Sequence, residues 1–338
     1  MNKRIIFGIV FLLAALVSPV KTSAFSESFD GSELRAVVSP TNPGPNEKTS
    51  IRLSSYLNDL DACDYEWKLG GLTVSSGIGE KNFSFTTAPL GAMESISVSV
   101  NCGGVRSEKK FVFQSNDADF LTVPDTYVPA FYRGGTRATP GSSVQVTVLP
   151  QVFDSTGKLI DSKNLIYRYS KDGRPITTSS GYGKNSVTIQ TSDIKATSRL
   201  LVEIYNLSGE LKTAKSLNLS VFEPQILLYP KKPLLGIQYQ SALKASSDLE
   251  GEEITLVAEP FFMSNRSLAA GQLEFFWTMN GKAINSDASG RSLILRQGDG
   301  QSGQALISVS GRDNINLLSA GQTQIKINFG RTFNNFGF

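Results

Sequence analysis

One strand-and-turn pattern occurs three times in this 338-residue chain, and that repetition constrains the fold more than any other feature. The copies are Tyr65-Glu66-Trp67-Lys68-Leu69-Gly70-Gly71, Ile166-Tyr167-Arg168-Tyr169-Ser170-Lys171-Asp172-Gly173 and Phe275-Phe276-Trp277-Thr278-Met279-Asn280-Gly281. Each is an aromatic-rich strand running into a tight turn, with Trp67, Tyr169 and Trp277 four residues before the turn glycine. Successive aromatics lie 102 and 108 residues apart, which is the length of one β-sandwich domain of about 100 residues. A second block follows each copy: Ser75-Ser76-Gly77-Ile78-Gly79-Glu80-Lys81, then Ser179-Ser180-Gly181-Tyr182-Gly183-Lys184-Asn185, with a looser third version at Ser286-Asp287-Ala288-Ser289-Gly290. Two blocks in one order at one period predict a tandem array.

The rest of the chain reads as short strands that bury one face, because apolar and polar residues alternate with period two. Ser95-Ile96-Ser97-Val98-Ser99-Val100-Asn101-Cys102 alternates throughout, and Val144-Gln145-Val146-Thr147-Val148 and Ile325-Lys326-Ile327-Asn328-Phe329 do the same in the later units. Gly and Pro punctuate these strands, and no long window shows helical spacing. The expected class is all-β: three tandem immunoglobulin-like β-sandwich domains after an N-terminal signal peptide. Polar or Pro-bearing steps place the units at 25–116, 117–222 and 223–330, with an aromatic tail over 331–338 carrying Phe333, Phe336 and Phe338.

The N-terminus opens Met1-Asn2-Lys3-Arg4, continues as an apolar run from Ile5 to Val17 and reaches Thr22-Ser23-Ala24. This is the charged, apolar and small-residue order of a cleavable signal peptide, here 1–24. The alternative, a membrane anchor, needs about 20 apolar residues, and the run is shorter and is followed by Pro19 and Lys21. No transmembrane anchor is expected in the mature chain. Removing Lys3, Arg4 and Lys21 lowers 33 basic residues to 30 against 30 acidic ones. A near-neutral chain whose basic clusters are no longer than pairs such as Lys109-Lys110 and Lys231-Lys232 is a poor fit to nucleic acid, which demands clustered positive charge.

The two cysteines, Cys63 and Cys102, both fall in the first unit. Cys63 shares strand parity with Tyr65 and Trp67, and Cys102 shares it with Val98 and Val100, so each faces the apolar side. If these strands pair antiparallel with Trp67 opposite Val98, Cys63 falls opposite Cys102 and a cross-strand disulfide follows. Antibody-type domains bridge their two sheets instead. The alternative is a pair of buried thiols.

Chemistry is mostly excluded. The chain has no histidine, which removes Ser-His-Asp and Cys-His catalysis and histidine-bound zinc. No phosphate-cradling loop is present, and no cofactor is expected. Carboxylate pairs alone can hydrolyse glycosides, but the acids are scattered through polar loops, Glu250, Glu252 and Glu253 among them. Weak calcium candidates are Asp59, Asp61 and Asp64 before the Trp67 strand, and Asp117 and Asp119 at the first boundary, all hard oxygen donors without a complete ligand pattern. Tyr127, Phe131 and Tyr132 around Pro129, and Phe261, Phe262, Phe275 and Phe276 in the third unit, suit a carbohydrate or protein surface or else the core. Adjacent aromatics on a strand must split between faces, so one of Phe275 and Phe276 is expected outside or beneath a neighbouring unit.

The run Val38-Ser39-Pro40-Thr41-Asn42-Pro43-Gly44-Pro45-Asn46, followed by Tyr65-Glu66-Trp67 and Ser76-Gly77-Ile78-Gly79-Glu80-Lys81, resembles the opening domain of a group of uncharacterised secreted proteins from bacteria of the candidate phyla radiation. These carry repeated immunoglobulin-like or PKD-like sandwiches. The resemblance implies surface, envelope or pilus association and no catalytic residues. The expected function is a non-enzymatic, secreted, periplasmic or cell-surface structural or interaction protein with a protein or cell-envelope partner. The alternative is a secreted carbohydrate-binding or carbohydrate-hydrolysing protein.

Overall fold

The computed structural model describes residues 34–56, 59–249, 251–298 and 302–330. The expected signal peptide at 1–24 and the aromatic tail at 331–338 lie outside the described residues. The fold is all-β, built as three successive two-sheet sandwiches. The first unit has β1 (Arg35–Ser39), β2 (Lys48–Ser54), β3 (Asp64–Leu69), β4 (Leu72–Ile78), β5 (Asn82–Thr86), β6 (Met93–Cys102) and β7 (Val105–Gln114). The second has β8 (Asp117–Pro124), β9 (Ser143–Gln151), β10 (Ile166–Lys171), β11 (Arg174–Tyr182), β12 (Ser186–Gln190), β13 (Thr197–Tyr205) and β14 (Leu211–Ser220). In the third are β15 (Gln225–Lys232), β16 (Gly236–Ile237), β17 (Ser246–Asp248), β18 (Glu253–Phe261), β19 (Leu273–Met279), β20 (Lys282–Ile284), β21 (Ser292–Arg296), β22 (Gly303–Asp313) and β23 (Ala320–Phe329).

The first two units share one plan. A three-stranded sheet, β1-β2-β5 or β8-β9-β12, packs on a four-stranded one, β4-β3-β6-β7 or β11-β10-β13-β14. The third unit elaborates it to β16-β15-β18-β21 and β17-β23-β22-β19-β20, with β17 running parallel to β23. Alternating side chains from both sheets fill each core: Ile51, Trp67, Val98 and Phe111 in the first unit, Val146, Tyr169 and Val202 in the second, Leu256, Trp277 and Ile307 in the third.

The recurring sequence blocks are the two ends of one hydrogen bond. Trp67, fully buried, donates its indole N–H to the Glu80 carbonyl at 2.8 Å, and Trp277 donates to the Gly290 carbonyl at 2.7 Å. In the second unit the Tyr169 hydroxyl donates to the Lys184 carbonyl at 2.9 Å. A large ring can enter the core only if its polar atom finds a partner, so the aromatic and the turn that supplies the carbonyl recur together. The turn after each aromatic strand is a two-residue hairpin loop with both φ positive: Gly70 and Gly71 at 56° and 87°, Asp172 and Gly173 at 50° and 80°, Asn280 and Gly281 at 51° and 78°. That geometry matches the strand twist and selects Gly, Asn and Asp.

Gly79 and Gly183 are required for a different reason. Each has positive φ, and a Cβ would lie 3.1 Å from the Asp61 carbonyl or 3.2 Å from the Lys163 carbonyl. Both approach a short 3-10 turn, Leu60–Ala62 or Ser162–Asn164, and both donate to the residue that ends it: Gly79 to the Cys63 carbonyl, Gly183 to that of Leu165.

Trp67 pairs with Val98 and Asp64 with Asn101, so one further step sets Cys63 against Cys102. The two form a disulfide with Cα atoms 4.5 Å apart. The bond joins neighbouring strands of one sheet, as the register of Trp67 opposite Val98 requires, and not the two sheets. Of the adjacent aromatics, Phe275 is buried and Phe276 is 49% exposed on the outer face, with the Arg312 guanidinium 5.9 Å from its ring centre.

Candidate functional site

The most elaborate set of side chains in the molecule lies where the second and third units meet. Between β8 and β9 the second unit extends a segment from Asp125 to Ser142 that leaves its own sandwich and lies along the third. The backbone attaches first. Thr126 bridges Ser264, the Tyr127 N–H donates to the Met263 carbonyl at 2.7 Å, and the Phe262 N–H donates to the Tyr127 carbonyl at 2.7 Å. Phe262 holds φ at 63° to make this contact, a conformation costly for a bulky side chain.

Aromatic packing then closes the junction. Phe131 stacks on Tyr239 at 4.2 Å and meets Tyr229 edge-on at 5.5 Å, while Tyr132 meets Phe261 at 5.5 Å and Phe262 at 5.9 Å, both edge-on. Tyr229, Phe261 and Phe262 are each 4% exposed. Arg137 lies over the rings of both Phe222 and Phe262. The loop aromatics therefore belong to a satellite core between units, the core alternative of those the sequence left open.

A buried acid sits within this cluster. Glu259 is 3% exposed; its carboxylate accepts from the Tyr127 hydroxyl at 2.9 Å and pairs with Arg291 at 2.6 Å. Burial, reinforced by the adjacent carboxylate, pushes the Tyr127 hydroxyl up to about 12. The group thus stays a neutral donor at ordinary pH. An ion pair taken out of water is held only when its remaining lone pairs are satisfied, and here the second unit supplies the missing donor to an acid of the third. Farther along the same junction, the Asn316 side chain donates to the Pro140 carbonyl at 2.9 Å.

The first junction is shorter. Ser115 and Asn116 alone separate β7 from β8. Asn116 is buried, accepts from the Phe153 N–H at 2.9 Å and donates to the Lys212 carbonyl at 3.3 Å. The Gln114 side chain donates to the Asp154 carbonyl at 2.5 Å. The ring of Phe153 covers Gly91 of the first unit so closely that a Cβ there would lie 3.1 Å from it.

Of the five acids considered for calcium, Asp59, Asp61 and Asp117 have other partners, and Asp64 and Asp119 are exposed on strands. Asp59 accepts from the Asp61 N–H at 3.1 Å as the cap of the 3-10 turn, the role Asp161 plays in the second unit, and Asp61 pairs with Lys81 at 2.6 Å. Asp64 opens β3 and is exposed. Asp117 pairs with Lys215 at 2.6 Å, and Asp119 is exposed on β8. Among the described residues no cluster of three His, Cys, Asp or Glu side chains could hold a metal ion. Glu253, one of the loop acids, pairs with Arg296 at 2.5 Å. Glu259 and Arg291 were not singled out in the sequence. Their signal was one acid inside the apolar run Leu256-Val257-Ala258-Glu259-Pro260-Phe261-Phe262-Met263.

No protein-family model matches the chain, and no curated protein matches it. The solved structures it resembles are arrays of β-sandwiches. One is the central fibronectin-III array of RIM-binding protein, 10% identical, covering 90% of this chain and 100% of that one with a TM-score of 0.27. A second is Sidekick-1 immunoglobulin domains 1–4, 13% identical, covering 88% and 74% with a TM-score of 0.21. A third is the Bacteroides ovatus SGBP-B from a mixed-linkage glucan utilization locus, in complex with a heptasaccharide, 11% identical, covering 89% and 71% with a TM-score of 0.22. None of these likenesses bears on activity. Among the described residues, no helix is long and apolar enough to cross a membrane.

Proposed function

We propose that this protein is an exported, non-enzymatic component of the cell envelope or exterior that holds three β-sandwiches in a fixed arrangement and presents their faces to a protein or envelope partner. The observation that carries the reading is the second junction. A segment of one unit gives two backbone hydrogen bonds, an aromatic cluster and a donor to a buried acid of the next. Inter-domain motion is the default for tandem domains, and this junction spends a strained Phe262 and a buried charge to suppress it. A molecule whose role is spacing needs that stiffness. Units at 25–116, 117–222 and 223–330 follow from the same reading.

Export is supported by the Cys63–Cys102 bond, because disulfides persist mainly outside the reducing cytoplasm, together with the charged, apolar and small-residue order at 1–24. The exposed rings give a carbohydrate site no comparable support: Phe222 lies under Arg137 and Tyr239 stacks on Phe131 at the junction, and the other three, Tyr56, Tyr182 and Phe276, lie one to a unit. The test is fractionation of expressing cells with N-terminal sequencing and thiol titration. Envelope or medium localisation, processing near Ala24 and no free thiol support the proposal. Unprocessed cytoplasmic protein with two free thiols overturns it.

A further inference from the structure

Buried oxygens without partners gather at the end of the third unit that faces the second. Among the described residues, Asp313 Oδ2, Ser319 Oγ and Ser267 Oγ each lack a hydrogen-bond partner, although these residues are only 0%, 0% and 1% exposed. Buried polar groups are ordinarily hydrogen-bonded, and a buried charge persists only when it is paired or binds an ion.

The register places the first two together. Across β22 and β23, Gly311 pairs with Gly321 and Arg312 with Ala320, so the next step outward sets Asp313 against Ser319. Asp313 continues the face of β22 that Ile307 and Val309 turn to the core. Two positions back along that face, a Cβ on Gly311 would lie 2.9 Å from Ile226, 3.3 Å from Phe275 and 3.5 Å from Met263. The acid therefore borders close-packed apolar side chains. Ser267 belongs to the helical turn Asn265–Ala269 at the same end of the sandwich. Its carbonyl accepts from the Gln272 N–H at 2.8 Å, and the Gln272 carbonyl accepts from the Asn314 N–H at 3.0 Å, which ties that turn to the residue after Asp313.

Half of the carboxylate is accounted for. Oδ1 accepts from the Ile315 N–H at 2.8 Å and from the Asn316 N–H at 3.0 Å, which sets the turn between β22 and β23. An asparagine makes the same turn through its own Oδ1, so the turn does not require a charge. Among the described residues no ion pair includes Asp313. A carboxylate held out of water with one oxygen unpartnered calls for a positive charge beside it.

We infer that Asp313 Oδ2, with the hydroxyls of Ser319 and Ser267, binds a monovalent alkali cation. All three donors are hard oxygens, which suit alkali and alkaline-earth ions and not the softer transition metals. One carboxylate balances one positive charge. Calcium takes roughly six to eight oxygens, usually with several carboxylates, and beside a single acid it would leave a net charge buried. A water molecule satisfies hydroxyls but leaves the carboxylate charge unbalanced. The ion braces the turn whose Asn316 side chain donates to the Pro140 carbonyl of the second unit at 2.9 Å. The inference uses the third unit alone and is independent of export and of any partner.

The test is urea unfolding of the oxidised chain in a Trp67→Phe background, where fluorescence reports Trp277. Ionic strength is held constant while choline chloride is replaced stepwise by NaCl or by KCl, with CaCl2 as a separate arm. Above its dissociation constant, a roughly tenfold rise in the bound cation should raise the folding constant of the third unit about tenfold. Asp313→Asn keeps the turn acceptor and removes the charge, so it should abolish this dependence and be the more stable protein in choline chloride. Ser319→Ala keeps the charge and removes one donor; it should move the dependence to higher cation concentration, and it serves if Asp313→Asn does not fold. Equal midpoints in NaCl, KCl and choline chloride overturn the inference. A response to calcium alone overturns it too, as does a dependence that survives unchanged in either folded variant.

Discussion

Tyr127→Phe tests the second junction from the far side. It removes one hydroxyl, in the second unit, and the residue left without its donor is Glu259 of the third. Hydrogen bonds to charged groups contribute about 1.5–3 kcal/mol, and the carboxylate is 3% exposed, so water cannot easily replace the lost donor. We expect a loss of about 2 kcal/mol. The chain has two tryptophans, Trp67 in the first unit and Trp277 in the third. In a Trp67→Phe background, fluorescence therefore reports the third unit alone. With a urea dependence of about 1–2 kcal/mol per molar for a unit this size, the Trp277 transition should fall by about 1–2 M although no residue of the third unit has changed. Glu259→Gln should lower it too, and the double variant should cost less than the two singles added, because the groups share one interaction. If the Trp277 midpoint does not move in a folded Tyr127→Phe protein, the junction does not couple the units and the reasoning fails.

Other outcomes follow from the same contacts. Reducing Cys63–Cys102, which closes a loop with a separation of 39 residues, should destabilise the first unit by about 4 kcal/mol on the chain-entropy estimate, seen as a lower Trp67 midpoint with Trp277 unaffected. Burial raises the hydroxyls of Tyr65 and Tyr127 from 10.0 to about 12 and pushes those of Tyr167 and Tyr169 up as well. Each is neutral in the fold, so its contribution is fully present below pH 10 and is lost as pH rises toward 12. Stability should therefore be flat from neutrality to about pH 10 and fall steeply above it, with tyrosinate absorbance appearing together with unfolding. Leu234 sits at the tip of the β15–β16 hairpin, fully exposed with φ at 62°. Asn tolerates that conformation better, so Leu234→Asn should stabilise the third unit by up to about 1 kcal/mol, measured by thermal unfolding.

Much of the fold was legible because β-structure writes its register into parity. Alternation put Cys63 on the face of Trp67 and Cys102 on that of Val98; given Trp67 opposite Val98 the cysteines meet, and the structure has that register and the bond. The hairpin turns at Gly71, Gly173 and Gly281 were readable because only certain residues accept positive φ. The role of the second block was not readable: Glu80, Lys184 and Gly290 contribute main-chain carbonyls, which leave no trace in side-chain identity. The loop aromatics were visible at Tyr127, Phe131 and Tyr132, but alternation says only which face a ring takes. It does not say that a segment leaves its sandwich for the next, and so surface and core stayed open for these rings. The capping role of Asp59 was not readable on its own because capping and metal binding draw on the same oxygens; the repeat position Asp161, which caps in the same way, was the available signal.

The central claim is that the second and third units hold one orientation, and residual dipolar couplings measured on the oxidised mature chain in a weakly aligning medium test it most directly. Couplings from β8–β14 and from β15–β23 should fit a single alignment tensor with the units placed as in this structure. Separate tensors of different magnitude for the two units would mean that they reorient independently, and would contradict the account.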